Sequence, residues 1–303
     1  MPPQLRTWLQ LLRAPNLFTV PGDPVAGYLL ACYGAVEPQM ALGIFASLLF
    51  YAAGLLLNDV ADLAEDRAER PSRPLPSGAA NRGVVIAVML AFAVAGLGLC
   101  AIAGVWTFGV GVVLLLAITS YNLGLKRVPV AGAVNMGLCR GLSLLLGATV
   151  VPHGDLTIRL MLHGRLHHLV AAFLLVTFFI AAVTNLARYE TKSTAPGFAK
   201  WLPAAAIAGG AFTFLQWVNG PNRFPTSLLF ALAFFISAQI AWQLVRDPRM
   251  PLPPMIGKLI RLLLVIQAAY GAAFGDVIGS LAAAVFIVLW PVSRAVGKRF
   301  YAS

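Results

Sequence analysis

Apolar residues fall in ten long blocks, at roughly 16–34, 40–57, 83–103, 105–121, 131–151, 166–186, 201–218, 225–244, 256–273 and 277–293. Short polar loops separate them. Each block approaches the roughly 20 residues a helix needs to cross a bilayer. The pattern predicts an all-α polytopic membrane bundle of nine to ten transmembrane helices. The boundaries between the third and fourth blocks and between the ninth and tenth rest on glycine and are the least sharp. No low-complexity linker or soluble domain interrupts the run, so residues 1–303 read as one transmembrane domain. Met1–Arg13 reads as an amphipathic segment, with no small-residue cleavage site after a short apolar core.

Composition fits this reading. The chain is 59% hydrophobic with a mean hydropathy of +0.82, and only 11% of it is charged, against about 25% in soluble domains. The net charge of +11 would suggest nucleic acid as the partner of a soluble protein. Here the bilayer is the partner and nucleic acid is not. With the N-terminus inside, seventeen Lys and Arg residues fall on inside loops and termini and three, Arg159, Arg165 and Arg223, outside. Basic residues favour the cytoplasmic side. That places the loop after the second block in the cytoplasm and fits a bacterial inner membrane. The basic C-terminus favours an even number of spans. Cys32, Cys100 and Cys139 all lie in apolar blocks and form neither a disulfide framework nor a cysteine metal site.

Candidate chemistry concentrates where the second block ends. Five of the eleven acids, Asp59, Asp62, Glu65, Asp66 and Glu69, lie within eleven positions. On a helix, Asn58 and these acids share a face about 120° wide. Like charges so placed repel by a few tenths of a kcal/mol per pair, which a divalent cation relieves. Hard oxygen ligands suit Mg²⁺, which takes one or two carboxylates together with substrate phosphates. The stiff basic segment Arg70-Pro71-Ser72-Arg73-Pro74-Leu75-Pro76-Ser77-Gly78 follows and suits phosphate oxygens. Acids for a metal beside arginines for phosphate describe a diphosphate site. A second polar loop, Asn185 to Lys192, follows the sixth block. The four-span spacing between the loops hints at two related halves enclosing a cavity.

Other polar residues have weaker claims. His153, His163, His167 and His168 sit near an outside loop, and Asp155 is the sole carboxylate close by. They read as an outer surface loop. Asp23, between Gly22 and Pro24 in the first block, is an intramembrane acid and so a functional candidate. It reads equally as an acceptor contact, as a partner for Arg140, or as a structural contact at a helix break.

At the acid loop the sequence resembles the UbiA superfamily of intramembrane aromatic prenyltransferases. Asn58, Asp59, Asp62 and Asp66 match that family's N-D-x-x-D-x-x-x-D motif, and Arg73-Pro74-Leu75-Pro76-Ser77-Gly78 matches the segment after it. Arg13-Ala14-Pro15-Asn16 looks like its opening R-x-P-N. Tyr121 with Lys126-Arg127 looks like its Tyr…Lys-Arg segment, and Asn135 through Gly141 like its Asn-rich fifth span. The resemblance implies a central cavity open sideways to lipid, a polyprenyl diphosphate donor, Mg²⁺ as cofactor, and a lipophilic or aromatic acceptor. It implies metal ligation by Asn58, Asp59, Asp62 and Asp66, and catalytic roles for Asp62, Asp66, Lys126 and Arg140. Substrate contacts are implied for Asn16, Asn58, Arg73, Tyr121, Asn135, Arg188, Glu190 and Lys192.

The second loop departs from the family. Where a second D-x-x-x-D is expected, Arg188 and Lys192 stand at the two Asp positions and Glu190 is the acid that remains. Either Arg188, Lys192 and Lys200 replace a second metal, or ionisation chemistry is impaired. The pattern looks more like the EboC-like branch than the ubiquinone or menaquinone enzymes. Against the enzyme stands a transporter or binding protein for a prenylated or phosphorylated lipid that does not turn it over. A cation transporter fits less well, because the acids cluster at the end of a span.

Overall fold

The computed structural model describes residues 3–32, 37–150, 166–190 and 197–300. Its α-helices are α1 (Pro3–Leu11), α2 (Ala14–Leu17), α3 (Gly22–Ala31), α4 (Met40–Ala61), α5 (Leu63–Glu69), α6 (Arg82–Ala103), α7 (Val105–Leu123), α8 (Ala131–Thr149), α9 (Leu166–Ala187), α10 (Leu202–Leu215), α11 (Arg223–Arg246), α12 (Leu252–Ala272) and α13 (Val277–Phe300). Among the described residues nine helical segments are long and apolar enough to cross a bilayer. They contain α4 and α6 through α13. Their outward faces carry large apolar side chains such as Val94, Trp106, Phe212, Phe235 and Leu281, as expected of helices solvated by lipid. The fold is the all-α membrane bundle that the apolar blocks predict.

The first apolar block folds differently from the others. It holds α2, a turn, and the ten-residue α3, which at about 1.5 Å per residue spans roughly half of a ~30 Å hydrocarbon core. Pro21 and Pro24 sit at the start of α3, where a missing N–H and a fixed φ are tolerated. α3 is nonetheless almost wholly buried. It packs on α8 through backbone approach: a methyl on Gly27 would overlap the Leu144 carbonyl, and one on Gly147 would overlap the Pro24 carbonyl. Gly137 meets the Thr177 carbonyl of α9 in the same way. Small residues at such crossings let helices associate in lipid through close van der Waals contact.

The largest apolar core joins α3, α8, α9, α10, α11 and α12, with Leu144, Phe179, Phe214, Phe230, Leu262 and Tyr270 at its centre. α12 is the enclosed helix: 67% of its apolar window is buried, against 17% for α6 at the periphery. A second core of Ala46, Phe50, Cys100, Leu114 and Leu146 ties α4 to α6, α7 and α8. The amphipathic α1 sets Leu11 against Leu56, Leu63, Leu75 and Val85. That contact brings the N-terminal segment to the end of α4 where the acids lie.

Candidate active site

α4 and α5 are nearly continuous through Asp62, whose N–H donates to the Asn58 carbonyl and whose carbonyl accepts from the Asp66 N–H. The one-face spacing of Asn58, Asp62 and Asp66 is therefore kept. Glu65 and Glu69, on the same predicted face, are exposed, whereas Asp59 and Asp66 are buried. Each remaining aspartate meets a cation from a different segment. Lys126, in the one-turn 3-10 helix after α7, donates to Asp62 Oδ1 at 2.5 Å and to Asn58 Oδ1 at 3.2 Å. Arg73 Nη1 donates to both oxygens of Asp66, at 2.9 and 2.7 Å, and Arg70 stands 3.7 Å from the same carboxylate. Arg13 Nη2 donates to Asp59 Oδ1 at 3.3 Å.

Arg13 has φ 44° and Val130, at the start of α8, has φ 66°. A left-handed conformation is costly for a side chain with a Cβ, and such strain gathers at functional sites. Here the two strained residues flank the segments that deliver Arg13 and Lys126 to the acids.

Of these groups Arg13 and Asn58 line a cavity that opens at this end of the bundle. Arg13, Asn58 and Tyr121 line the mouth. Phe50, Leu55, Leu114, Ile118 and Met136 line the middle. Ser47, Arg140 and Ser143 line the depth. The Ser47 and Ser143 hydroxyls are hydrogen-bonded to each other at 2.6 Å.

Arg140 is held well inside the bundle. Its Nε lies 2.7 Å from Asp23 Oδ2, and its Nη2 donates to the Thr19 carbonyl at 2.7 Å. Gln267 Nε2 donates to Asp23 Oδ1 at 2.7 Å and to the same Thr19 carbonyl. Of the readings open for Asp23, the structure realises the pairing with Arg140. Arg140 thus contacts Asp23 rather than the acid loop. Asn135 donates to the Ala117 carbonyl of α7 at 2.8 Å and does not line the cavity. Asn16 lies in α2, immediately after the strained turn at Arg13.

The second polar loop reaches the same end of the bundle. Tyr121 lies within electrostatic reach of Arg13, Asp62 and Arg188. Partial burial pushes the Glu190 carboxyl above its ordinary value, against the opposing pull of Arg70. Arg188 is thus within electrostatic reach of Tyr121 and Glu190 within reach of Arg70, while Lys192 lies outside the described residues. His153 and His163 also lie outside them. His167 stacks on Trp217 at 4.1 Å, and His168 meets Phe214 edge-on.

The donor set suits a hard divalent cation. Asn58 Oδ1 and Asp62 Oδ1 converge on one ammonium, so these two oxygens already share a cation position. No group of three or more His, Cys, Asp or Glu side chains gathers to hold a metal among the described residues. A metal here would draw most of its ligands from phosphate and water, which is the habit of Mg²⁺ and not of metals held in all-protein cages.

In the sequence Arg13 belongs to an opening motif, with no partner marked for it. Its pairing with Asp59 depends on the fold of α1 against α4. Ser47 and Ser143 carried no signal, being small polar residues in apolar helices.

Fold and composition together define an integral membrane protein with a polar-mouthed cavity inside a helical bundle. Residues 24–253 match the sequence model of the UbiA prenyltransferase family, and the chain belongs to that family. A digeranylgeranylglyceryl phosphate synthase of Metallosphaera sedula is 29% identical over 154 residues, which cover 50% of this chain and 54% of that protein. The chain spans about half the length of the curated relatives it matches. A UbiA homologue from Aeropyrum pernix K1, in its apo form, superposes with a TM-score of 0.64 at 19% identity, covering 86% of this chain and 96% of that one. A UbiA homologue from Archaeoglobus fulgidus bound to GPP and Mg²⁺ superposes with a TM-score of 0.63 at 14% identity, covering 95% and 99%. At these identities the likeness is one of fold.

Proposed function

We propose that the protein transfers a prenyl group from an allylic polyprenyl diphosphate to a lipophilic or aromatic acceptor, with Mg²⁺ on the diphosphate. The observation that carries this reading is the cavity mouth. Arg13, Asn58 and Tyr121 line it above mostly apolar walls, Asn58 shares one cation with Asp62 beside it, and Arg73 holds Asp66 on the same loop. The family and the A. fulgidus homologue bound to GPP and Mg²⁺ support the same reading.

In this reaction the donor's C1–O bond breaks and the diphosphate leaves with the electron pair. A bond then forms between C1 and the acceptor, which gives up a proton. Bound Mg²⁺ would supply positive charge to the leaving group through Asn58, Asp62 and Asp66, with Asp59 beside them. Lys126 and Arg73, now bonded to carboxylates, are placed to turn donors toward phosphate oxygens. Fixed cations aimed at charge that grows in the transition state lower the barrier. Tyr121 orients the diphosphate at the mouth. The apolar walls at Phe50, Leu114 and Ile118 keep water from the allylic cation. Arg140 is neutralised by Asp23 and shapes the cavity, leaving the leaving group to the cations at the mouth.

The second motif is altered in a way that fits this role. Arg188 stands where the family has an Asp, and its charge reaches Tyr121 at the mouth. Arg188 and Lys192 take over the phosphate-neutralising work of a second metal. The excess of Lys and Arg on one side of the chain supports a mouth on the cytoplasmic face of the membrane. Purified protein given isotope-labelled farnesyl diphosphate, Mg²⁺ and a panel of lipophilic and aromatic acceptors tests the reading. A mass-shifted prenylated product supports it. Donor recovered intact with every acceptor tells against it.

A further inference from the structure

The polar groups near the mouth sit on segments with few apolar anchors of their own. Across residues 4–14, which hold most of α1 and reach past Arg13, the one buried side chain is Leu11. α5 buries Leu63 beside Asp66. From Arg67 to Val84, the stretch that carries Arg70 and Arg73, only Leu75 is buried. These three anchors meet in one small cluster, completed by Leu56 of α4 and Val85 of α6. Each leucine in it lies within two positions of a polar group of the site: Leu11 of Arg13, Leu56 of Asn58, Leu63 of Asp62 and Leu75 of Arg73. Trp8 and Leu12, half-buried, pack over the cluster from the N-terminal side. It shares no buried residue with the three cores that hold the long helices together. Leu11 itself does not line the cavity.

Given the diphosphate reading of the mouth, on which this rests, we infer that Leu11 is a positioning residue. Packed with Leu63 and Leu75, it clasps the acid helix α5 and the Arg70–Arg73 segment at the spacing where one diphosphate and its metal can meet both. The clasp fixes these segments before the ligand arrives, so their ordering does not have to be met at binding. Displacement of binding groups by about 1 Å can cost up to about 10²-fold in rate. A leucine outside the cavity therefore acts through Asp62, Asp66 and Arg73.

The test measures Mg²⁺-dependent binding of farnesyl thiolodiphosphate, which does not ionise, to the purified full chain, with thermal unfolding run alongside. Leu11→Ala should bind roughly tenfold more weakly and need more Mg²⁺ for half-saturation, while the unfolding midpoint stays close to that of the unaltered protein. Leu11→Met conserves volume and should restore the affinity. Leu75→Ala loosens the same clasp from the basic segment and should reproduce the loss, which guards against one variant failing to fold. Leu264→Ala, in a core of α12 and α13, should lower the midpoint and leave the affinity unchanged. Unchanged affinity and Mg²⁺ requirement in Leu11→Ala and Leu75→Ala would overturn the positioning role. So would affinity that falls only in step with the midpoint, in Leu264→Ala as in the others. Absence of binding by the unaltered protein overturns the diphosphate reading itself, which separates the two failures.

Discussion

Lys126 and Asp62 join two segments that lie 64 residues apart in sequence, with the ammonium 2.5 Å from the carboxylate and 3.2 Å from the Asn58 side-chain oxygen. One amine therefore occupies the place where two metal-type oxygens converge. The same arrangement suits a cation shared between enzyme and diphosphate. Removal of Asp62 takes away a ligand and frees Lys126 at once. Asp62→Ala should lower diphosphate release by about 10²–10³-fold, comparable to losing a preorganised electrostatic group. Lys126→Ala should cost a similar factor in release rate. Single-turnover kinetics with a labelled donor reads both.

Arg73 grips both oxygens of Asp66, whose side chain is only 4% exposed. The contact runs through the single nitrogen Nη1, which leaves the other guanidinium donors for phosphate, so Arg73→Lys keeps the charge and loses those donors. Diphosphate affinity should weaken by roughly tenfold, the cost of a lost charge-assisted contact. Arg73→Ala should also lower the unfolding midpoint, because a buried carboxylate left without its main partner costs about 1–3 kcal/mol. Thermal unfolding in detergent, run beside donor titrations, separates the two effects.

The Asp23–Arg140 pair is nearly inaccessible, with side chains 0% and 9% exposed. Breaking one half strands the other. Asp23→Leu or Arg140→Met alone should destabilise by about 3–5 kcal/mol. Asp23→Leu with Arg140→Met should recover much of that loss, since an apolar pair removes both charges together. The double-mutant cycle on unfolding midpoints checks this, and additive losses would contradict a direct pairing.

Arg188 is assigned the work of a second metal. Arg188→Asp with Lys192→Asp would restore the family's acidic pattern in the second loop. The variant should require more Mg²⁺ for half-maximal release and show a steeper dependence on its concentration. A Mg²⁺ titration identical to that of the unaltered protein contradicts the substitution of cation for metal.

Much of this architecture is legible in the order of residues. Nine of the ten apolar blocks correspond to long apolar helices because lipid demands a continuous internally bonded segment of fixed length. The block at 16–34 misleads. Its apolar content matches a span, but the chain turns at 18–21 before α3 begins, with Pro21 as the last residue of that turn. The acid face from Asn58 to Asp66 is readable because it depends only on helical periodicity. The partners of those acids are not readable. Arg13, Arg73 and Lys126 arrive from three segments through tertiary packing, with no local pattern to announce which acid each will meet. Glu65 and Glu69 show the converse, sharing the predicted face yet lying in the open. The Ser47–Ser143 contact spans 96 residues and joins two helices whose sequences give no hint of facing each other.

The central claim is that the mouth ionises an allylic diphosphate and does not merely hold it. Release of labelled diphosphate from farnesyl or geranyl diphosphate by detergent-purified protein, measured with and without Mg²⁺ and in Asp62→Ala, addresses that claim most directly. The predicted result is Mg²⁺-dependent release that requires an acceptor and falls to background in Asp62→Ala. Tight donor binding with no release, across every donor and acceptor, would contradict it and make the chain a lipid-diphosphate binding protein.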